Sequence, residues 1–159
     1  MTGNEARQVA VTLVLMAETE RAIGALYEAC AKADADRGEV WRRVAAAERH
    51  HATGVGTMAT ILLRKKGEGF RVGRKFPPEA VRAFTDQVRK NEVDVKTGAI
   101  KGRVLYMIAR GLETTLLEDR FYEFVATEDE AFRKLADRIV AETREHQTLM
   151  QAWVAAAGA

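Results

Sequence analysis

One stripe of residues constrains the fold of this chain more than any other feature. Between positions 41 and 62, apolar residues recur at alternating steps of three and four, which is the spacing of one face of an α-helix. The stripe comprises Trp41, Val44, Glu48, His51, Val55, Met58 and Leu62. Glu48 and His51 therefore stand one helical turn apart in the middle of an apolar face. A buried carboxylate and imidazole are costly unless a partner satisfies them, so other parts of the chain must supply that partner.

The remainder of the chain also has helical periodicity, and the only two prolines, Pro77 and Pro78, lie together near its middle. We predict helices over about residues 5–33, 39–65, 79–90, 100–126 and 130–156. Short turns join the first two and the last two of the long helices, while a basic glycine-rich loop and the short helix separate these pairs. Pro78 suits the first turn of the short helix. This layout predicts an all-α, ferritin-like four-helix bundle of two hairpins with a long crossover, in a single domain over 1–159.

Each of the other long helices has an apolar stripe that polar residues interrupt. The stripes are Leu13, Met16, Glu20, Ile23, Tyr27 and Cys30; Val104, Met107, Gly111, Thr114, Glu118, Phe121 and Val125; and Phe132, Leu135, Ile139, Glu142, His146, Leu149 and Trp153. With Glu48 and His51, these stripes bring four carboxylates and two imidazoles to the predicted core. Carboxylates and imidazoles on facing helices are the ligands that two iron or manganese ions take in helical bundles. We therefore predict a two-metal site.

An internal repeat supports this prediction. Adding 95 to a position in the first hairpin reaches a similar residue in the second, so that Glu18 pairs with Glu113, Tyr27 with Tyr122, Val44 with Ile139, Arg49 with Arg144 and His51 with His146. Two similar hairpins packed about a pseudo-twofold axis would bring the two histidines to the same level of the core. The spacing also predicts that the hydroxyls of Tyr27 and Tyr122 donate to a ligand carboxylate on another helix.

The same offset shows that the second half is altered. It pairs Glu20 with Thr115 and Glu48 with Thr143, so two expected carboxylates are missing. Glu113 or Glu118 could replace the first, and Glu142 or Glu145 the second, since each lies within one helical turn. Alternatively, the site holds a single ion or none.

At these residues the sequence resembles the rubrerythrin branch of the ferritin-like superfamily. The resemblance is carried by Ala17-Glu-Thr-Glu20 with Tyr27, Ala47-Glu-Arg-His-His-Ala52, Leu112-Glu113 with Phe121-Tyr122-Glu123, and His146. It implies that Glu20, Glu48, His51 and His146 are ligands of a non-haem di-iron site. It also implies peroxide or O₂ as substrate, with peroxide reduction or iron oxidation as the activity, and a homodimer. Manganese or zinc could take the place of iron.

Composition limits the alternatives. A single cysteine, Cys30, excludes the four-cysteine rubredoxin module of full rubrerythrins, so electrons must come from a separate donor. A net charge of +2 disfavours nucleic acid and membrane surfaces as partners, and the absence of a long apolar run or signal layout favours the cytoplasm. Two other functions stay open: a helical scaffold with a degenerate metal site, and a di-iron tRNA hydroxylase suggested by the spacing of Glu113 and Glu118.

Overall fold

The computed structural model describes residues 1–74, 76–118 and 124–158, with the backbone alone for residues 116–118. Its five helices are α1 (Gly3–Ala33), α2 (Gly38–Arg64), α3 (Pro78–Lys96), α4 (Arg103–Glu118) and α5 (Glu130–Ala156). A 3₁₀ turn, Ala35–Arg37, joins α1 to α2, and two short strands are β1 (Phe70–Val72) and β2 (Val125–Thr127). The prediction of an all-α fold is confirmed. None of the helices within these ranges has both the length and the apolar composition needed to cross a bilayer.

Local sequence explains where most helices begin and end. At the start of α1, Thr2 and Glu5 form a reciprocal capping box. Asp129 caps α5 by accepting a hydrogen bond from the Phe132 amide. Pro78 is the first residue of α3, as predicted, but α3 continues to Lys96 and ends before Gly98, whose φ is +77°. The predicted bounds of α1, α2 and α5 agree with the structure to within two residues.

The predicted helix over residues 100–126 is wrong at its end. The described part of α4 reaches Glu118, and Val125–Thr127 pairs antiparallel with Phe70–Val72, a segment of the predicted basic loop. Both strands are only three residues long and contain aromatic or β-branched residues, so periodicity could not separate them from helix or loop. Residues 119–123 of the predicted helix lie outside the described part of the chain.

The long helices pack as two antiparallel hairpins, α1 with α2 and α4 with α5, which meet mainly between α2 and α5. Helix α3 packs against α1. Gly24 allows a close approach within the first hairpin, since a Cβ there would lie 3.2 Å from the Ala45 carbonyl oxygen. Buried apolar residues form two clusters, one around Trp41 and Tyr27 and the other around Leu62 and Phe70. The polar residues of the α1 and α2 stripes lie between these clusters along the helices.

The four predicted stripes differ in how well they match the buried faces. Every residue of the α1 and α2 stripes is buried. On α4, Val104 and Met107 are exposed by 47% and 43%, and the buried face instead contains Leu105, Tyr106, Ala109, Leu112 and Glu113. On α5, the stripe is buried at Phe132, Ile139 and His146 and partly exposed elsewhere, because Thr143, Met150 and Val154 also face inward. Helix α4 is apolar on two sides, and the side that packs into the cluster around Trp41 and Tyr27 is the buried one, with α5 as its main helix neighbour.

Candidate metal centre

A group of buried polar side chains lies between the two apolar clusters. Glu20 of α1, Glu48 and His51 of α2, Glu113 of α4 and His146 of α5 are between 0% and 8% exposed. Each side chain comes from a helix whose apolar neighbours hold it in the core. The structure thus brings together three carboxylates and two imidazoles in a region where unpaired charge is costly. We call these five residues the carboxylate–histidine cluster.

The cluster consists of two triads that share Glu48. Glu20, Glu48 and His51 form one triad, Glu48, Glu113 and His146 form the other, and in each triad one ligand atom per residue lies within 4.8 Å of the others. Glu48 Oε2 is 3.0 Å from His51 Nδ1, and Glu48 Oε1 is 2.8 Å from His146 Nδ1. Each carboxylate oxygen of Glu48 therefore faces a different imidazole, which is the disposition of a carboxylate that bridges two cations.

Several potential ligand atoms of this cluster have no hydrogen-bond partner among the residues that the structure describes. They are Glu20 Oε2, Glu48 Oε1, Glu113 Oε2 and His146 Nδ1, and all are buried. Glu48 Oε1 and His146 Nδ1 are close but do not have the geometry of a hydrogen bond. A buried polar atom without a partner costs about 1–3 kcal/mol, and such atoms are rare in folded proteins. Because the unpartnered atoms are oxygen and nitrogen donors that point into one small region, the cluster fits a divalent metal ion.

Burial and mutual repulsion distribute charge unevenly in the metal-free cluster. Burial, together with the negative charge of Glu48, raises the pKa of Glu20 and of Glu113 well above the usual value. Burial also opposes ionisation of Glu48, but the close imidazoles of His146 and His51 outweigh it and lower the pKa of Glu48 to about 2. Negative charge thus concentrates on Glu48, while its two neighbours retain protons. A bound cation would displace those protons.

These shifts predict how the stability of the metal-free protein depends on pH. Glu20 and Glu113 have raised pKa values, so their contribution to stability is present below about pH 4.5 and is lost as the pH rises. The contribution of His51 to stability is likewise lost as the pH rises above 6.5. Glu48 and Glu142 outweigh burial and raise the pKa of its imidazole. Glu48 and Glu142, whose pKa values are lowered, act in the opposite direction and lose their contribution as the pH falls below 4.5.

We therefore expect the Tm of the metal-free protein to be highest in mildly acidic solution and to fall between pH 6.5 and pH 9, by about 2–4 °C for each kcal/mol lost. Manganese(II) should reduce this fall, because the ligands are deprotonated when metal is bound. Thermal unfolding followed by circular dichroism, with chelator or with manganese, measures both curves. A metal-free Tm that rises steadily across this range would contradict the assigned charges.

A chain of polar contacts orients His51. Its Nε2 lies 2.7 Å from Glu142 Oε2, and Arg138 Nε donates to the other oxygen of Glu142 at 2.7 Å. A proton on Nε2 leaves a lone pair on Nδ1, the nitrogen that faces Glu48. Histidine ligands of metals are commonly held in this way by a carboxylate on the distal nitrogen. The sequence predicts Glu142 as a ligand, and in the structure its carboxylate contacts His51 Nε2, the ring nitrogen that does not face Glu48.

Replacing Glu142 with glutamine is expected to weaken metal binding by about 10–100-fold, because the amide orients His51 less strongly and does not fix its tautomer. Competition titration with a chromophoric chelator measures this change. Glu145→Gln is the matched control, since Glu145 is exposed on the same helix. Equal affinities for the two variants would show that Glu142 has no positioning role.

Tyr27 fixes the carboxylate on the opposite side of the cluster. Its hydroxyl donates to Glu113 Oε1 at 2.6 Å, so the predicted contact between this tyrosine and a carboxylate on another helix is present. Burial, followed by the charge of Glu113, raises the pKa of Tyr27 well above its usual value, and the phenol keeps its proton. Glu113 Oε1 is thereby occupied, and Glu113 Oε2 is the oxygen left without a partner.

The remaining predicted site residues lie elsewhere or outside the described residues. Glu145 is exposed and does not reach the buried cluster. The side chain of Glu118 and the whole of Tyr122 lie outside the part of the chain that the structure describes. Thr143 is buried at the place that the repeat pairs with Glu48, and its hydroxyl donates to the Ile139 carbonyl at 2.8 Å.

Two features of the site could not be predicted fully from the sequence. Glu113 faces Glu20 although the repeat pairs Glu20 with Thr115, two residues further along, so the offset of 95 does not describe α1 and α4. No role was predicted for Arg138. Its spacing of four residues before Glu142 is a common helical ion-pair pattern and could have indicated a held carboxylate.

Comparison of the chain with protein-family models, with curated proteins and with solved structures finds no match. The candidate site therefore has to be interpreted from its own geometry and chemistry.

Proposed function

We propose that this chain is a ferritin-like four-helix bundle that binds two metal ions and acts as a non-haem di-iron redox protein on peroxide or O₂. Glu48 would bridge the ions, with Glu20 and His51 completing one ion's protein ligands and Glu113 and His146 the other's. The main support is the group of four buried ligand atoms without hydrogen-bond partners, because a metal ion would satisfy all of them. The resemblance to rubrerythrins supports iron, and the oxygen and nitrogen donors equally suit manganese or zinc.

The charge of the cluster favours small anionic or acidic substrates. Three carboxylates and two neutral imidazoles leave one positive charge uncompensated beside two divalent ions. A fourth carboxylate would neutralise it, but Thr143 occupies the corresponding position on α5. The excess charge favours a small molecule that can bind to the cations as an anion, such as hydroperoxide, over a neutral organic substrate.

If iron were bound, two adjacent ferrous ions would supply the two electrons needed to convert hydrogen peroxide and two protons into two molecules of water. The chain's own residues hold this chemistry in place. Glu48 keeps the two metal positions together, Tyr27 fixes Glu113, and Glu142 fixes His51. With Cys30 as the only cysteine and no second redox module in the sequence, electrons for further turnover come from a separate donor.

Anaerobic loading with iron(II) tests this function. We expect about two iron ions per chain, oxidised by added hydrogen peroxide at a ratio of about two irons per peroxide. His51→Ala should remove at least one ion and slow oxidation, because His51 Nδ1 faces the shared carboxylate. His50→Ala is the matched control, since the neighbouring imidazole is exposed. Fewer than about one iron per chain, or equal behaviour of the two variants, would overturn the proposal.

A helical interaction protein without metal is the second candidate, and Thr143 is the residue that favours it. Its hydroxyl bonds within its own helix and takes no part in the cluster. This candidate requires that the unpartnered atoms of Glu20, Glu113 and His146 have no ligand at all. It predicts that Glu48→Gln changes neither metal content nor redox behaviour.

A further inference from the structure

The described tyrosines and tryptophans of this protein lie together at one end. Both tryptophans of the chain and two of its three tyrosines contact one another where α1 joins α2: Tyr27, Trp41, Tyr106 and Trp153. Among the described residues, the ring pairs at the other end of the helices are phenylalanines, Phe70 with Phe132 and Phe76 with Phe124. Phenylalanine fills space as well as tyrosine or tryptophan does, but its ring is much harder to oxidise.

These four rings form a continuous series from the interior to the surface. The ring centroids of Tyr27 and Trp41 are 5.4 Å apart, and those of Trp41 and Trp153 are 5.0 Å apart. Tyr106 closes the outer end at 6.2 Å from Trp41 and 5.5 Å from Trp153. Tyr27 and Trp41 are fully buried, whereas Trp153 is partly exposed. All four distances are those of rings in direct contact.

The inner end of the series touches the carboxylate–histidine cluster. Tyr27 donates its hydroxyl hydrogen bond to Glu113 Oε1 at 2.6 Å, and Glu113 belongs to one of the two triads. An electron can therefore reach Tyr27 through the rings, and its phenol proton can move along the hydrogen bond to Glu113.

The outer end is held by charged side chains. Trp41 Nε1 and the Tyr106 hydroxyl both donate to Asp34 Oδ2, at 3.0 and 2.9 Å. The Arg37 guanidinium lies 5.0 Å from the centroid of the Tyr106 ring and 5.6 Å from that of Trp153. These contacts fix the polar atoms of the rings, so the contacts between the rings are maintained.

We propose that Tyr27, Trp41, Tyr106 and Trp153 form a path for single electrons between the metal centre and a one-electron donor at the protein surface. The inference rests on the proposed redox function and adds the route by which the separate donor reaches a buried site. Indole and phenol rings in contact are the side chains best suited to pass electrons one at a time.

Each transfer along the path is balanced. With Glu113 deprotonated, as it would be when it holds a metal ion, Tyr27 would lose one electron to the oxidised centre and its phenol proton to Glu113 Oε1. Trp41 then returns an electron to Tyr27, which takes the proton back. Trp153 or Tyr106 then gives one electron to the oxidised Trp41, and a soluble one-electron reductant gives one electron to the outer ring. One electron has then moved from the reductant to the centre, no bond in the protein has changed, and two such transfers match the two electrons that peroxide takes.

Flash photolysis tests the path without relying on the activity of the iron-loaded protein. A photo-excited ruthenium bipyridyl complex with a cobalt ammine acceptor oxidises surface tryptophan, and transient absorption then follows tryptophan and tyrosine radicals. We expect the tryptophan radical to decay as a tyrosine radical forms in zinc-loaded protein, where Glu113 is deprotonated and can accept the phenol proton. In Tyr27→Phe the tryptophan radical should persist about tenfold longer.

Trp41→Phe should lower the yield of the Tyr27 radical by about tenfold while leaving the initial oxidation of Trp153 unchanged. If that variant does not fold, the double variant Tyr106→Phe, Trp153→Phe removes the outer end of the path and should also prevent the Tyr27 radical. A Tyr27 radical that forms at the original rate in either variant, or never forms in the unmodified protein, would overturn the proposal.

The outcomes also separate this inference from the proposed function. A Tyr27 radical in a protein that binds no iron would support the path and refute the function. Normal oxidation of bound iron by peroxide, with re-reduction by ascorbate that Trp41→Phe does not slow, would support the function and refute the path.

Discussion

Replacing Glu48 with glutamine is expected to weaken the binding of both metal ions by at least about 100-fold, equivalent to about 2.7 kcal/mol. Glu48 belongs to both triads, and each of its oxygens faces a different imidazole. Glutamine has a similar shape but only one oxygen, and it carries no charge to attract or bridge the cations. Isothermal titration with manganese(II), or iron analysis after anaerobic loading, measures the loss.

The stability of the metal-free protein should change much less than its metal affinity. The charge of Glu48 helps to raise the pKa values of Glu20 and Glu113, so its removal allows one of them to ionise and pair with the histidines instead. Glu145→Gln, an exposed change on α5, is the control and should bind metal normally. Unaltered metal content in Glu48→Gln would favour the scaffold function over the redox function.

Replacing Thr143 with glutamate is expected to destabilise the metal-free protein and to strengthen metal binding. Thr143 lies on the inward face of α5, one turn before His146, so the change restores a Glu-x-x-His pattern that matches Glu48 and His51. In the metal-free protein it adds a fourth carboxylate to a cluster whose carboxylates already repel one another. We expect the free energy of unfolding to fall by about 1–3 kcal/mol from crowding alone, and further from buried charge.

With metal bound, the same carboxylate neutralises the remaining positive charge and should strengthen binding by about tenfold, or about 1.4 kcal/mol. Thr143→Gln separates the two contributions, because glutamine crowds the core equally but carries no charge. Thermal unfolding with and without manganese(II) measures all three proteins. Equal responses of the glutamate and glutamine variants to metal would show that position 143 does not face the metal ions.

The first hairpin could be predicted because the helical spacing of apolar residues identifies a single buried face on each of its two helices. The stripes from Leu13 to Cys30 and from Trp41 to Leu62 are buried throughout, and they placed Glu20, Glu48 and His51 in the core. A polar residue inside such a stripe has only one face to occupy. The contact between Tyr27 and a carboxylate of another helix could likewise be expected from its position in the α1 stripe.

The second hairpin was less predictable because α4 has apolar residues on two sides. Val104 and Met107 match the period as well as Leu105 and Leu112 do, and only packing against the other helices, chiefly α5, selects the second pair. This rotation brings Glu113 into the cluster. Periodicity also extended α4 into Val125–Thr127, whose partner strand is distant in the sequence.

Contacts between different helices determine the features that could not be predicted from the sequence. Glu142 is one residue from the inward-facing Thr143, and its role follows from contacts with His51 on α2 and Arg138 on its own helix. The series of aromatic rings draws on α1, α2, α4 and α5, and no spacing within one helix indicates it.

Anomalous diffraction at the iron absorption edge, from crystals loaded anaerobically with iron(II), tests most directly whether Glu48 bridges two ions. We predict two peaks on either side of the Glu48 carboxylate, one beside Glu20 and His51 and the other beside Glu113 and His146. A single peak, or no peak among these five side chains, would contradict the two-metal centre.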